Sequence, residues 1–370
     1  MLNILSALQE CRKEGNKAAL ATVLSVDGST YQREGARCLV LEDGQIVGVV
    51  SGGCVEADLA LHAQSVLETG EAKQVSYDFR NEADEVWGLG VGCNGALTLL
   101  IQCFDPVADR TGAEELIVEF TRKMETLETY AVATVVTSAH TERFRPGQIL
   151  YPAPDETMAN APGLSELNYK GVVIQVFVEV VTPRPQLYVF GAGPDAAPLV
   201  KIGTFLEWRV RVIDHRPTLL AEHRFPEAEV IGVRRPEYTS IPVFAGAMAV
   251  VMTHNYEIDR QLVSHLLKSE ASYVGVLGPR KRTDKILTEL ADQGERFSPT
   301  DMKRLYAPVG LNLGAESPEE IALAIVAEAQ AHTSQRDALP LRRASGPLHS
   351  RSSAPFTVAP DGISPGVCNP

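Results

Sequence analysis

No apolar stretch in this sequence approaches the ~18 residues that a membrane-crossing helix needs. The first residues, MLNILSALQECRKEG, lack a basic start followed by an apolar core, so they do not read as a secretion signal. No CxxC pair occurs. The 6 cysteines are scattered at positions 11, 38, 54, 93, 103 and 368, which argues against a zinc site. Scattered thiols without an export signal imply a reducing cytoplasm. Positive charge is also scarce: 34 Lys and Arg stand against 47 Asp and Glu, a net charge of −13. A general nucleic-acid binder needs clustered Lys and Arg, so that class is set aside. Basic residues gather only locally, at Arg234-Arg235, Arg280-Lys281-Arg282 and Arg342-Arg343.

What is present is an ordinary soluble composition, 45% apolar, in a chain of 370 residues, long enough for two or three domains. Leu2, Leu5, Leu8 and Cys11 mark one face of a first helix. Residues 18–26 (AALATVLSV) read as a buried strand and 37–42 as a second, followed by the hairpin signal Asp43-Gly44. Residues 131–137 (AVATVVT) echo 19–25 (ALATVLS), and Arg145-Pro146-Gly147 echoes Arg33-Glu34-Gly35, a weak internal β repeat. Residues 155–166 read as loop. Thr182-Pro183-Arg184-Pro185 is a linker, and beyond it strands alternate with helices, which predicts a parallel sheet. The expected fold is therefore α/β: an N-terminal α+β domain over 1–182, then a Rossmann-like, doubly wound domain over 186–333. Residues 334–370, rich in Pro, Ser and Arg, read as a largely disordered tail.

Two turns carry the chemistry. Ser51-Gly52-Gly53-Cys54-Val55-Glu56 lies between a strand-like run and a helical pattern. Two glycines let the backbone approach a ligand, and a helix N-terminus favours anions and thiolates. The plainer reading is a tight turn with a small buried cysteine. Cys93, in Gly92-Cys93-Asn94-Gly95, is a second glycine-flanked thiol. Two such thiols suggest a soft-metal or sulfur-handling site, with Cys54 as the metal contact, or else two cysteines in tight turns. Arg33, near Ser29, offers a guanidinium to phosphate. Arg37 reads as a surface arginine beside a turn.

In the second domain, Gly191-Ala192-Gly193-Pro194-Asp195-Ala196 follows a strand and opens a helix, with Asp214 at the end of the next strand. That is the dinucleotide pattern: glycines for the pyrophosphate, an acid for the ribose. Asp214 favours NAD and Arg216 would accept the 2′-phosphate of NADP, so either remains open, as does a fold of this shape that holds no dinucleotide. Thr253-His254-Asn255 and Gly278-Pro279-Arg280 end later strands, where ligands of open α/β sheets sit. His254 is a proton donor or ligand contact, or a turn residue bonded to the backbone.

Taken together, several motifs resemble the XdhC/CoxI family. They are Gly28-Ser29-Thr30-Tyr31-x-Arg33-x-Gly35-Ala36-Arg37, the Ser51 to Glu56 turn, Gly90-x-Gly92-Cys93-Asn94-Gly95, Thr253-His254-Asn255-Tyr256 and Pro308-Val309-Gly310-Leu311-Asn312-Leu313-Gly314-Ala315. The resemblance runs over nearly the whole chain. It implies an accessory chaperone that binds the molybdenum cofactor, as molybdopterin or its cytosine dinucleotide. Such proteins protect the cofactor during sulfuration and deliver it to a xanthine dehydrogenase-like hydroxylase. The implied partners are the apo molybdenum hydroxylase, a cysteine desulfurase and a second copy of the chain. Cofactor contacts are expected from Ser29, Arg33, Gly52, Gly53, Cys54, Glu56, Cys93, Gly191, Ala192, Gly193, Asp195, Asp214, Arg216, Thr253, His254, Gly278 and Arg280. Pro194 stands where the best-known members have His, and Asn312-Leu313 where Asp-Ile is usual, so the client need not be a xanthine dehydrogenase. The rival readings are an NAD(P)-dependent oxidoreductase with His254 as acid, and a non-catalytic interaction scaffold.

Overall fold

A computed structural model describes residues 1–28, 30–53, 55–80, 95–151, 162–221 and 224–343. Ser29, Cys54, Cys93 and most of the expected tail lie outside the described residues. The chain divides into a first unit that begins at Met1 and ends its main run at Pro183, and a second that begins at Arg184. Among the described residues no helix is long and apolar enough to cross a membrane.

The first unit opens with α1 (Leu2–Glu14), β1 (Ala18–Gly28), β2 (Arg37–Leu41), β3 (Ile46–Gly48), α2 (Glu56–Thr69), β4 (Lys73–Asp78) and β5 (Gly95–Phe104). It continues with α3 (Arg110–Glu125), β6 (Tyr130–Ser138), β7 (Ile149–Leu150), β8 (Gly163–Tyr169) and β9 (Val172–Val181). Two antiparallel sheets result, in the orders β3-β2-β1-β5-β4 and β7-β6-β9-β8. The expected loop over 155–166 is partly strand: β8 begins at Gly163, and Leu167 is its one fully buried residue. A strand with so little apolar character has no alternation for a sequence reading to find.

The repeat is deeper than the β pattern suggested. β1 and β6 are each an inner strand of their sheet, and each carries a bulge at the same point, between Val23 and Ser25 and between Val135 and Thr137. The turns that follow bond identically. Val23 donates to the Ala36 carbonyl and accepts from Gly35, as Val135 does with Gln148 and Gly147. The extra bulge residues, Leu24 and Val136, pack together with Leu100 and Phe177. The preceding helices also correspond: Leu5 and Leu8 of α1 and Ile117 and Phe120 of α3 share one core. The copies touch reciprocally. A Cβ on Gly35 would meet Glu179 at 3.4 Å, and one on Gly147 would meet Gln102 at 3.1 Å. Glu179 and Gln102 hold matching register positions, opposite Val132 and Leu20.

The second unit comprises β10 (Gln186–Phe190), α4 (Ala196–Phe205), β11 (Arg209–Asp214), β12 (Glu229–Gly232), β13 (Met248–Val251) and α5 (Tyr256–Lys268). It ends with β14 (Tyr273–Val276), α6 (Arg280–Asp292), α7 (Pro299–Lys303), β15 (Leu305–Tyr306) and α8 (Pro318–Thr333). The sheet is parallel throughout, in the order β12-β11-β10-β13-β14-β15. This is the doubly wound order, with the topological switch between β10 and β13. Every residue of β10, β13 and β14 is buried, because helices cover both faces. α4 and α8 pack on one face and α5 and α6 on the other. α8 starts with the expected capping box, the Ser317 hydroxyl accepting from Glu320 N and the Glu320 carboxylate from Ser317 N.

Candidate functional sites

In the first unit the chain leaves β3 and turns through Ser51, which is buried. Gly53 has φ +106°, a conformation that favours glycine. The turn then enters α2, whose N-cap is Val55. The Ser51 hydroxyl donates to Glu56 and accepts from Gly53 N (3.2 Å) and Val55 N (3.3 Å). The Glu56 carboxylate folds back to accept from Ser51 N (3.1 Å) and Val55 N (3.2 Å). The chain's own carboxylate therefore occupies the end of the turn that the sequence offers to an external anion.

Tyr31, part of the quoted motif but not among the expected contacts, lies at this turn. Its ring lies 3.4 Å from where a Cβ on Gly52 would sit, and it is 65% exposed. A large aromatic within a Gly/Ser/Thr-rich turn was the available signal. Arg33 is exposed, as a phosphate contact requires. Arg37 is not a surface residue. Its side chain is buried and ion-paired with Glu179, which Lys123 also reaches at 3.0 Å. Arg37 lies on β2, and the sheet carries it inward against α3 and β9, a placement that local sequence does not encode.

In the second unit, β10 ends at Phe190 and Gly191 follows it, with φ +118°. A Cβ there would lie 2.4 Å from the Met252 carbonyl oxygen, so the switch point is closed around a bare backbone. Ala192 N donates to Asp214 at 2.7 Å. Arg216 gives Asp214 three more donors: its backbone N (2.8 Å), Nε (2.9 Å) and Nη2 (2.7 Å). Asp214 is fully buried. Burial alone would raise its pKa, but Arg216 and the backbone N–H groups outweigh this and hold it at about 2. Arg224, missed from sequence, bonds the carbonyls of Ala192 (3.0 Å), Gly193 (3.4 Å) and Leu219 (2.8 Å).

Asp195 precedes α4 without capping it. Its Oδ2 accepts from His254 Nε2 at 2.9 Å, while its Oδ1 is buried with no partner. His254 has φ +59°, uncommon for a non-glycine residue, and its ring is largely exposed. The flanking residues hold it there. Thr253 Oγ1 accepts from Asn255 N and donates to Asp259 (2.5 Å), and Asp259 accepts from Arg282 (2.5 Å). Asn255 caps α5 through Ile258 N. The sheet thus gathers Gly191, Ala192, Gly193, Asp195, Asp214, Arg216, Thr253 and His254 at the carboxyl ends of β10, β11 and β13. Gly278 and the exposed Arg280 follow β14, farther along the same edge.

These residues do not fit NAD(P). The four donors on Asp214 fill the lone-pair sites that a ribose hydroxyl would need. The Asp195 carboxylate stands at the α4 N-terminus, where the pyrophosphate of a dinucleotide would lie.

Fold and sites define a two-unit protein: a duplicated antiparallel unit whose first copy bears a Gly-Gly turn, and a doubly wound unit whose glycine turn is braced by acids. Residues 11–78 match the XdhC and CoxI family and residues 187–329 match the XdhC Rossmann domain. The chain is 32% identical over 339 residues to a probable xanthine dehydrogenase subunit of Bacillus subtilis (strain 168), covering 88% of this chain and 95% of that protein. The chain belongs to the XdhC and CoxI family. It is also 20% identical over 325 residues to the molybdenum cofactor insertion chaperone PaoD of Escherichia coli (strain K12), covering 88% of this chain and 86% of that one. A crystal structure of a xanthine dehydrogenase from Bacillus halodurans superposes with a TM-score of 0.69 at 28% identity, covering 90% of this chain and 96% of that chain.

Proposed function

We propose that this protein is an accessory chaperone that binds the molybdenum cofactor and passes it to an apo molybdenum hydroxylase of the xanthine dehydrogenase kind. The observation that carries this reading is the full-length likeness to a cofactor insertion chaperone and to a probable xanthine dehydrogenase subunit, spanning both units. The construction of the first unit supports it. The second copy of the repeat builds its β sheet with a far shorter connection between β7 and β9 than the first needs between β2 and β5. The Gly-Gly turn and α2 are thus additions to the repeat, available for a ligand.

On this reading Gly52, Gly53 and Cys54 meet the metal and sulfur end of the cofactor. Cys93 is the second thiol, and Ser29 and Arg33 serve the phosphate. A thiolate suits a soft centre and an exposed guanidinium suits phosphate. Glu56 holds the turn in shape and takes no part in anion binding. The finer proposals are cytoplasmic action as a homodimer and support of sulfuration by a cysteine desulfurase. Equilibrium binding of released molybdenum cofactor to wild type and Cys54→Ser tests the assignment. The expected result is affinity at least about tenfold weaker in the variant. Equal affinities would remove Cys54 from the site.

A further inference from the structure

The second unit holds an acid–imidazole pair that the proposed function does not use. A carboxylate offers only acceptors, so the 2.9 Å contact fixes the proton of His254 on Nε2. In the neutral imidazole Nδ1 is then an open acceptor, on a ring that is 59% exposed. Asp195 Oδ1 is a second acceptor, buried and without a partner. Buried polar atoms of native proteins are nearly always satisfied, so a lone acceptor calls for a donor. A Cβ on Gly193 would come within 2.7 Å of that oxygen, so the turn is kept bare beside it. The uncommon backbone at His254 presents the ring toward Asp195, as its Cδ2 lies 3.9 Å from the same point on Gly193. Positive φ at a non-glycine residue gathers at functional sites.

We propose that this acid–imidazole pair takes a neutral or cationic heterocycle through an edge of N–H donors, bound by Asp195 Oδ1 and His254 Nδ1, in place of a dinucleotide pyrophosphate. Both free groups are acceptors and one belongs to a carboxylate, so phosphate oxygens meet repulsion there. An amino–amide edge, such as that of a pterin, presents the matching donors. The choice of a pterin as ligand rests on the cofactor-binding reading; the exclusion of pyrophosphate does not.

The probes are 2-amino-4-oxopteridine and inorganic pyrophosphate, titrated calorimetrically into the full chain, wild type, Asp195→Asn and His254→Asn. Asn tolerates positive φ, so the second variant keeps the backbone of residue 254. Thermal melts confirm folding of both. The pteridine should bind wild type, and each variant at least about tenfold more weakly. Pyrophosphate should bind wild type more weakly than the pteridine and gain at least about tenfold in Asp195→Asn. Pteridine affinity unmoved in both variants, no pteridine binding to wild type, or tighter binding of pyrophosphate by wild type would each overturn the proposal. Capture of the whole cofactor by wild type is scored separately. Capture without pteridine binding sinks this site and spares the chaperone reading; pteridine binding without capture does the reverse.

Discussion

Replacing Glu179 by Gln should be among the costliest single-atom changes in the first unit. Glu179 sits on β9 between Arg37 and Lys123, all three side chains largely buried. Lys123 also lies 3.8 Å from Glu119, whose carboxylate accepts from Tyr130 (2.9 Å) and Tyr151 (2.5 Å). Two cations and two anions therefore balance inside the unit. Burial pushes Glu179 up, but Arg37 and Lys123 outweigh it and bring the carboxyl from its ordinary 4.5 to about 2. That drop corresponds to ~3 kcal/mol at neutral pH. Removing one partner of a buried ion pair costs about 3–5 kcal/mol by general experience, so the two routes agree. Burial, and then Arg37, already lower the Lys123 amine, so the freed cations have no cheap way to stay charged. At ~2–4 °C per kcal/mol for a unit of this size, the melting point should fall by roughly 6–12 °C. The sign of the pH dependence follows from the depressed pKa. The stabilisation is complete above the unfolded value near 4.5 and is lost as pH falls toward 2, so wild type and variant should converge over that window. Urea unfolding followed by circular dichroism at pH 7 and pH 3 measures both, with the exposed Glu166→Gln as control, expected within about 0.5 kcal/mol of wild type. A gap below ~1 kcal/mol at pH 7, or one unchanged at pH 3, would refute the argument.

The second unit supplies two further tests. Asp214→Asn should cost ~2 kcal/mol at pH 7, since the carboxyl is held at about 2 against an ordinary 3.8; the loss should fade as pH falls from about 4 toward 2 in thermal melts at each pH. Gly191→Ala must place a Cβ 2.4 Å from the Met252 carbonyl at φ +118° and should lose at least ~3 kcal/mol, whereas Gly246→Ala, at φ +75° with nothing within 4 Å, should lose only ~1 kcal/mol; equal losses in urea unfolding would show that the close approach at the switch point does not matter.

Much of the architecture was readable because it is written locally. The β/α alternation, the glycine turn after β10, the Ser317 capping box and the echo of β1 in β6 all rest on neighbouring residues. The helical half of the repeat escaped notice because α1 and α3 share almost no identities. What they share is apolar spacing, Leu5 and Leu8 against Ile117 and Phe120. The site was less readable, because partner choice is a property of the folded chain. An acid after the second Rossmann strand looks like a ribose ligand. Here Arg216, two residues on, reaches it first, and Ala192 N completes its shell. Arg37 looked solvated because the residues that bury it, Lys123 and Glu179, lie far along the chain.

The two glycine turns answer the same electrostatic question differently. A helix N-terminus with bare backbone around it attracts negative charge, and in each turn the nearest negative charge is the protein's own. Glu56 spends both oxygens on Ser51 and Val55, so the first turn is closed to anions at its helix end. Asp195 spends one oxygen on His254 and keeps the other buried and unused, so the second turn remains open to donors. An anionic ligand of the first unit is then left to exposed side chains, and Arg33 is placed in sequence beside the Tyr31 ring to meet it. The same backbone construction, with the carboxylate satisfied in one case and half-satisfied in the other, favours ligands of opposite polarity.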